Sequence, residues 1–486
     1  MAKEASPTSQ PRLADAVDHR GIWPAVRRNP VGMAMFTWCG MIALLGGMQG
    51  TVSTSIAAEV WGESMTSTRV AFASAGLALG MVCAGPFGRF GDKCGNRLAC
   101  VILTLFLTMP YVAYLVFGLT ERGLWVASAA TLLPGLTGMT VLGAPCQYAL
   151  GHDIVVPGDF AVMTPLAFFM ANFVSIVGTY VAQVLQGRFG VDAVVWFGLA
   201  VGAFAMVGLS LLPVRKPGSA RALDVSTNDA GDAGCVEEGG SATAQQRSPG
   251  PDNAASCAVV SSLCFAVSNP LMLWLCMITM LLCASEALIG DVMPQFILGC
   301  LGWLGGDVDI QTSSAFLFDI SLTLQGAMAL ACLFVSWLSA HFSTFSVLVS
   351  ASLVAVVMQL VPPVMLMLPD QWFAYVVAVC IALSMSAAPP TTSLVPLIIP
   401  PGQIGEAMGA LGSFKCFSFL AGNLICLFVV PSLQKSGIDH PLWIAFPVCS
   451  LCAFGAVPLT LGLRRKVEEV GKAELRPEHP AKVVGA

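Results

Sequence analysis

Long apolar runs alternate with short polar breaks along the chain. The runs lie at about 31–49, 70–87, 98–118, 124–150, 160–186 and 194–213, and again at about 270–293, 312–337, 344–367, 372–396, 403–430 and 441–463. Each is near the ~20 residues that a membrane-spanning helix needs. Between the sixth and seventh runs, residues 214–264 contain no aromatic residue, Met or Ile and are rich in Gly, Ala, Ser and Asp. That is the composition of a linker. No run alternates polar and apolar positions as a barrel strand does. Inside lipid a backbone must satisfy its own hydrogen bonds, so the runs are predicted to be helices. The pattern predicts an all-α membrane protein of 12 transmembrane helices in two six-helix bundles. Its expected parts are an N-terminal segment 1–30, bundles 31–213 and 270–463, a disordered linker 214–269 and a tail 464–486.

Composition supports this plan. Of 486 residues, 56% are hydrophobic and 10% charged, against about 25% charged in ordinary soluble domains. Basic residues then set the orientation. With both termini on one side, that side holds 18 of the 23 Lys and Arg. Excess basic charge marks the cytoplasmic face, so both termini are expected to be cytoplasmic. The first 30 residues hold no apolar core of a signal peptide, and the first span is expected to direct insertion. Most of the 17 cysteines scatter through the apolar runs. The one C-x-x-C, Cys449–Cys452, lies inside a run and reads as packing rather than a metal site. No cofactor, metal or nucleic-acid partner is expected, and no cluster of catalytic residues marks an enzyme.

The most distinctive stretch is Gly88-Arg-Phe-Gly-Asp92-Lys93-Cys-Gly95-Asn-Arg97, between the second and third runs. Gly88 and Gly95 permit close approach and a tight turn. Asp92 can accept hydrogen bonds at the positive end of a helix. The halves also repeat at an offset of 244 residues. Ala144-Pro145 recurs as Ala388-Pro389, Pro157-Gly158 as Pro401-Gly402, Phe173 as Phe417 and Gly178 as Gly422. The loop, with Asn96 where an Arg is common, resembles the loop between helices two and three of the major facilitator superfamily. Duplicated six-helix halves are also the plan of that superfamily. The resemblance covers about residues 31–463. It implies a transporter whose halves rock about a central substrate site. It also implies that Gly88, Asp92, Lys93, Gly95 and Arg97 form a gating loop, latching and releasing through Asp92 and Arg97.

Charges inside spans are costly and mark function or pairing. Glu286 in span seven and Asp319 in span eight are expected ~10 Å below the outer surface. Lys415 in span eleven is expected at a similar depth, ~18 Å from the inside. The three are therefore expected to form one proton-titrating network, with Lys415 paired to Asp319 or Glu286. The resemblance implies that spans one, four, seven and ten line the cavity. Gln49, Gln147 and Glu286 are candidates there, the last two because they are large and polar amid small residues. The expected function is secondary active transport of a small polar solute, coupled to protons. An uncoupled facilitator and a non-transporting receptor or scaffold of the same fold remain the alternatives.

Overall fold

The computed structural model describes residues 21–61, 65–139, 144–213, 264–303, 310–436 and 441–474. The expected linker lies almost wholly outside the described residues, as do the ends of both terminal segments. Among the described residues the regular structure is entirely helical. The first half runs through span one (Pro30–Trp61), span two (Met65–Cys94) and span three (Asn96–Phe117). Span four is broken into Glu121–Ala130, Leu132–Gly135 and Pro145–Ile154. Spans five (Phe160–Phe189) and six (Val191–Leu211) complete this half.

The second half repeats the order with spans seven (Pro270–Cys300), eight (Ile310–Ser339) and nine (Thr344–Met358). Span ten is broken into Gln371–Ser384, Ala388–Ser393 and Val395–Ile398, and spans eleven (Ile404–Lys435) and twelve (Ala445–Glu474) follow. Seven of the described helical passages are long and apolar enough by themselves to cross a membrane. Spans one, two, four, seven and eleven are not among the seven, and span one passes only together with the short helix before it.

Packing within the first half rests on close backbone approach. A Cβ on Gly198 of span six would collide with the ring of Tyr111 in span three, and one on Gly202 would reach Thr108 Oγ1 at 2.5 Å. Two glycines four residues apart on one helix face let the helices touch without intervening side chains. Tyr111 is fully buried, and its hydroxyl donates to the Leu45 carbonyl of span one at 2.6 Å. Three helices are thereby tied at one level.

Both termini depart from the expected boundaries. A short helix, Ile22–Arg28, precedes span one and turns 97° away from it. It is clamped to the turn between spans four and five. Arg28 and Asn29 both donate to the buried carboxylate of Asp159, and Asn29 accepts from the Val156 N–H at 2.8 Å. At the other end the helix of span twelve continues past 463 through Arg464, Arg465 and Lys466 to Glu474. There Arg464 pairs with Glu468 one turn on, and the Lys466 ammonium lies 4.5 Å from the Trp274 ring centre. The start of the charged tail is helical because its charges find partners along the helix and on span seven.

Asp159→Ala should lower the thermal midpoint of the purified protein by several degrees. It removes three hydrogen bonds from Arg28 and Asn29, worth together about 2 kcal/mol. An unchanged midpoint would show that the clamp adds nothing to stability.

Candidate functional site

The two halves meet along a seam between spans two and eleven. At one end the Asp92 carboxylate accepts from the N–H of Gly405 at 2.9 Å and of Glu406 at 2.8 Å. These amides open span eleven, where the first N–H groups of a helix have no partner of their own and the helix dipole is positive. Arg89 adds an ion pair to Glu406 across the same seam. Gly88 lies against the Gly405 carbonyl so closely that a Cβ there would collide with it. Further along, a Cβ on Gly409 would strike the Ala84 carbonyl, and one on Gly80 would lie 2.6 Å from Cys416 Sγ. Farther still, Asn423 donates to Ser74 at 3.3 Å.

The paired residue numbers sum to between 493 and 498 at every level, so the helices run antiparallel in one unbroken register. From Asp92 to Ser74 the seam extends 18 residues, ~27 Å of helix. A second seam joins spans five and eight, where Ser336 donates to the Val162 carbonyl at 2.7 Å. Both seams are shut at the end that carries the Gly88–Arg97 loop, called here the loop end.

The loop residues divide between the halves. Gly95, the single residue between spans two and three, has φ +101°, which a side chain would strain. Arg97 stays within the first half and donates to the Ser210 and Leu212 carbonyls at the end of span six, at 3.2 and 3.1 Å. It does not reach the second half. Lys93 is exposed. Asn96, where the resembled family commonly has Arg, donates to Asp153 of span four at 2.8 Å. Across the seam the basic residue is Arg89, which sequence reasoning quoted within the motif but did not single out. Glu406, Asp153 and Asp159 were also missed. Their only sequence signal was an acid at the end of an apolar run.

Toward the middle of the molecule both halves contribute to one apolar cluster. Phe168 comes from span five; Cys283, Met328, Cys332, Ala382, Ala388 and Phe419 come from the second half; Leu77 and Tyr148 pack at its edge. Tyr148 stacks on Phe168 with ring centres 5.5 Å apart. The Lys415 ammonium stands over the Tyr148 ring, 5.7 Å from its centre, and the residue is only 5% exposed.

Lys415 does not share a level with the two acids. Ser418 donates to the Met280 carbonyl at 2.9 Å, which fixes the register of spans eleven and seven. Lys415 is then level with Met277, and the Glu286 backbone lies nine residues, ~13 Å, farther from the loop end. The Glu286 side chain lies outside the described residues. By the Ser336–Val162 register, Asp319 is level with Thr179, eleven residues or ~16 Å beyond Phe168. Asp319 is exposed and forms no ion pair with Lys415. The expected single depth for the three charges is therefore corrected. Depth counted from assumed helix ends took no account of how far each helix slides against its neighbour.

The polar candidates of spans one and four are also located. Gln147 is buried, and its side-chain oxygen accepts from the Ala144 N–H at 2.7 Å, which caps the last piece of span four. Thr391, its counterpart 244 residues on, donates to the Ala388 carbonyl at 2.6 Å. Both side chains bond the residue that opens their helix piece. Gln49 is half-buried in the interior of span one, one turn past Leu45, since the helix runs on to Trp61 rather than ending near 49 as expected.

A family model described as the Major Facilitator Superfamily matches residues 39–423. The chain belongs to that superfamily. No curated protein matches it by sequence. Among solved structures, a variant of the E. coli fucose:proton symporter FucP aligns with TM-score 0.60 at 11% identity, over 89% of this chain and 98% of that one. The human organic anion transporter MFSD10 (TETRAN) aligns with TM-score 0.57 at 16% identity, over 90% and 99%. At such identities the likeness is one of fold. It agrees with the all-α membrane architecture.

Proposed function

We propose that this superfamily member is a secondary active transporter that moves a small polar solute by alternating access, coupled to protons, with both termini cytoplasmic. The observation that carries the reading is the Asp92 carboxylate held on the first amides of span eleven. This contact is strong when the halves touch and vanishes when they part, because both partners are then free to bind water. Around it, glycine meets backbone over ~27 Å, a surface that packs well in one arrangement only. Two bundles joined in this way have two discrete states, which is what alternating access needs. The described arrangement is then the state closed at the cytoplasmic side.

Proton coupling is assigned to Glu286 and Asp319, the intramembrane acids of spans seven and eight. They lie at or beyond the outer end of the seam, ~13–16 Å from the level of the central cluster. Uptake into proteoliposomes with and without a pH gradient tests the reading. Gradient-driven accumulation is expected, while flux indifferent to the gradient would leave a facilitator. Glu286→Gln or Asp319→Asn is expected to abolish accumulation and spare solute exchange. Accumulation unchanged in both variants would remove the acids from the mechanism.

A further inference from the structure

Lys415 is buried in the middle of a membrane protein, on the seam between the halves, and no carboxylate lies within ion-pairing distance among the described residues. The register of spans seven and eight puts the nearest intramembrane acids ~13–16 Å away along the helices. A buried cation without an anion is costly. The Tyr148 face at 5.7 Å offsets part of that cost, but the ring carries no net charge.

Two further polar groups near the same cluster lack partners. Thr392 is fully buried and its hydroxyl makes no hydrogen bond. It is the counterpart of Tyr148 at the 244-residue offset, one turn from Ala388 of the cluster. Gln325 Oε1, beside Leu324 and one turn from Met328, is also buried without a donor. By the span five–eight register, Gln325 stands five residues, ~8 Å, outward of Phe168. Aromatic and aliphatic walls with a few unsatisfied polar groups are the usual make-up of a small-molecule site.

We propose that Lys415 recognises the carboxylate of the solute, so that the substrate class is a small organic acid held between the halves. This deepens the transport reading and rests on it. The carboxylate supplies the missing countercharge, the Tyr148 ring holds the ammonium in place, and Thr392 offers a hydroxyl. Gln325 accepts from a hydroxyl or amine at the acid's other end. Counted along the sequence alone, two intramembrane acids to one base would favour a cationic or neutral solute. The register reverses that preference, because the base sits at the inter-half cluster and the acids do not.

The test compares cells lacking the protein with cells expressing wild type, Lys415→Met and Lys415→Arg at matched membrane levels, with intracellular solutes profiled by mass spectrometry. Solutes that differ between cells with and without the wild-type protein are the transported ones. The proposal expects these to be carboxylic acids, their change to shrink at least tenfold in Lys415→Met, and Lys415→Arg to recover part of it. The acid so identified should raise the thermal midpoint of purified wild type but not of Lys415→Met. Its methyl ester should raise neither.

Neutral or cationic transported solutes would overturn the proposal while leaving the transport reading intact, as would acids whose change persists in Lys415→Met. No difference between cells with and without the wild-type protein for any solute would sink the transport reading and this proposal with it. A Lys415→Met protein that fails to fold shifts the decision to Lys415→Arg. Loss of the acids' change in a well-folded Lys415→Arg would also overturn the proposal, since the charge is kept.

Discussion

Replacing Asp92 by alanine should slow uptake at least tenfold and open the loop end. The carboxylate accepts two backbone N–H groups at the start of span eleven and is itself partly buried. Hydrogen bonds to a charged group contribute ~1.5–3 kcal/mol each. The substitution removes both from the closed state and none from the open one. A loss of about 3 kcal/mol shifts the balance between the states by roughly a hundredfold. Cys416 reports the shift. It is fully buried on the seam opposite Gly80, so a maleimide should label it in Asp92→Ala and spare it in wild type, as read by peptide mass spectrometry. Asp92→Asn, which keeps an acceptor and loses the charge, should fall between the two. Normal uptake with Cys416 still protected would show that the carboxylate does not hold the seam shut.

Gly409→Ala should abolish transport without destabilising the protein. The added Cβ would meet the Ala84 carbonyl oxygen and lie 2.9 Å from Gly85 Cα. Both are backbone atoms inside a helix, so neither can swing away as a side-chain end could. The halves are held apart at that level. Within its own helix alanine is the better residue, by roughly 0.5–1 kcal/mol over glycine. Thermal stability is therefore expected to hold or rise while uptake disappears and Cys416 becomes reactive.

Gly198→Ala is the control. Its Cβ would press on the buried Tyr111 ring within a single half, so it should lower the thermal midpoint whichever state the protein occupies. If Gly409→Ala transports at the wild-type rate, the seam tolerates an extra methyl group and is not a close-packed gate.

Which parts were legible in the sequence follows from where the physical signal lies. The spans were legible because each must carry its own apolar surface. The break in span four and its echo in span ten were legible as Ala-Pro at one offset, since proline opens a helix piece. Asp92 was legible as a carboxylate suited to a helix N-terminus. Its partners were not, because a backbone N–H has no residue type to read, and Gly405 and Glu406 stand more than 300 positions away. Arg97 and Arg89 show the same limit. Both are basic residues in one short loop, and only packing decides that the first closes span six while the second crosses to Glu406.

The sequence by itself determined that the chain lies in a membrane as two related sets of helices, and which superfamily it resembles. Lipid offers no partners to a bare backbone, so hydropathy, loop charge and repetition are written residue by residue. Only the tertiary structure decided how those helices slide against one another. Moving one helix by two turns past its neighbour changes no residue, yet it takes Lys415 away from the acids and sets it over Tyr148 at the meeting of the halves. Register is the sum of many small contacts between distant segments, glycine on carbonyl and hydroxyl on backbone, and such sums exist only once the helices have packed.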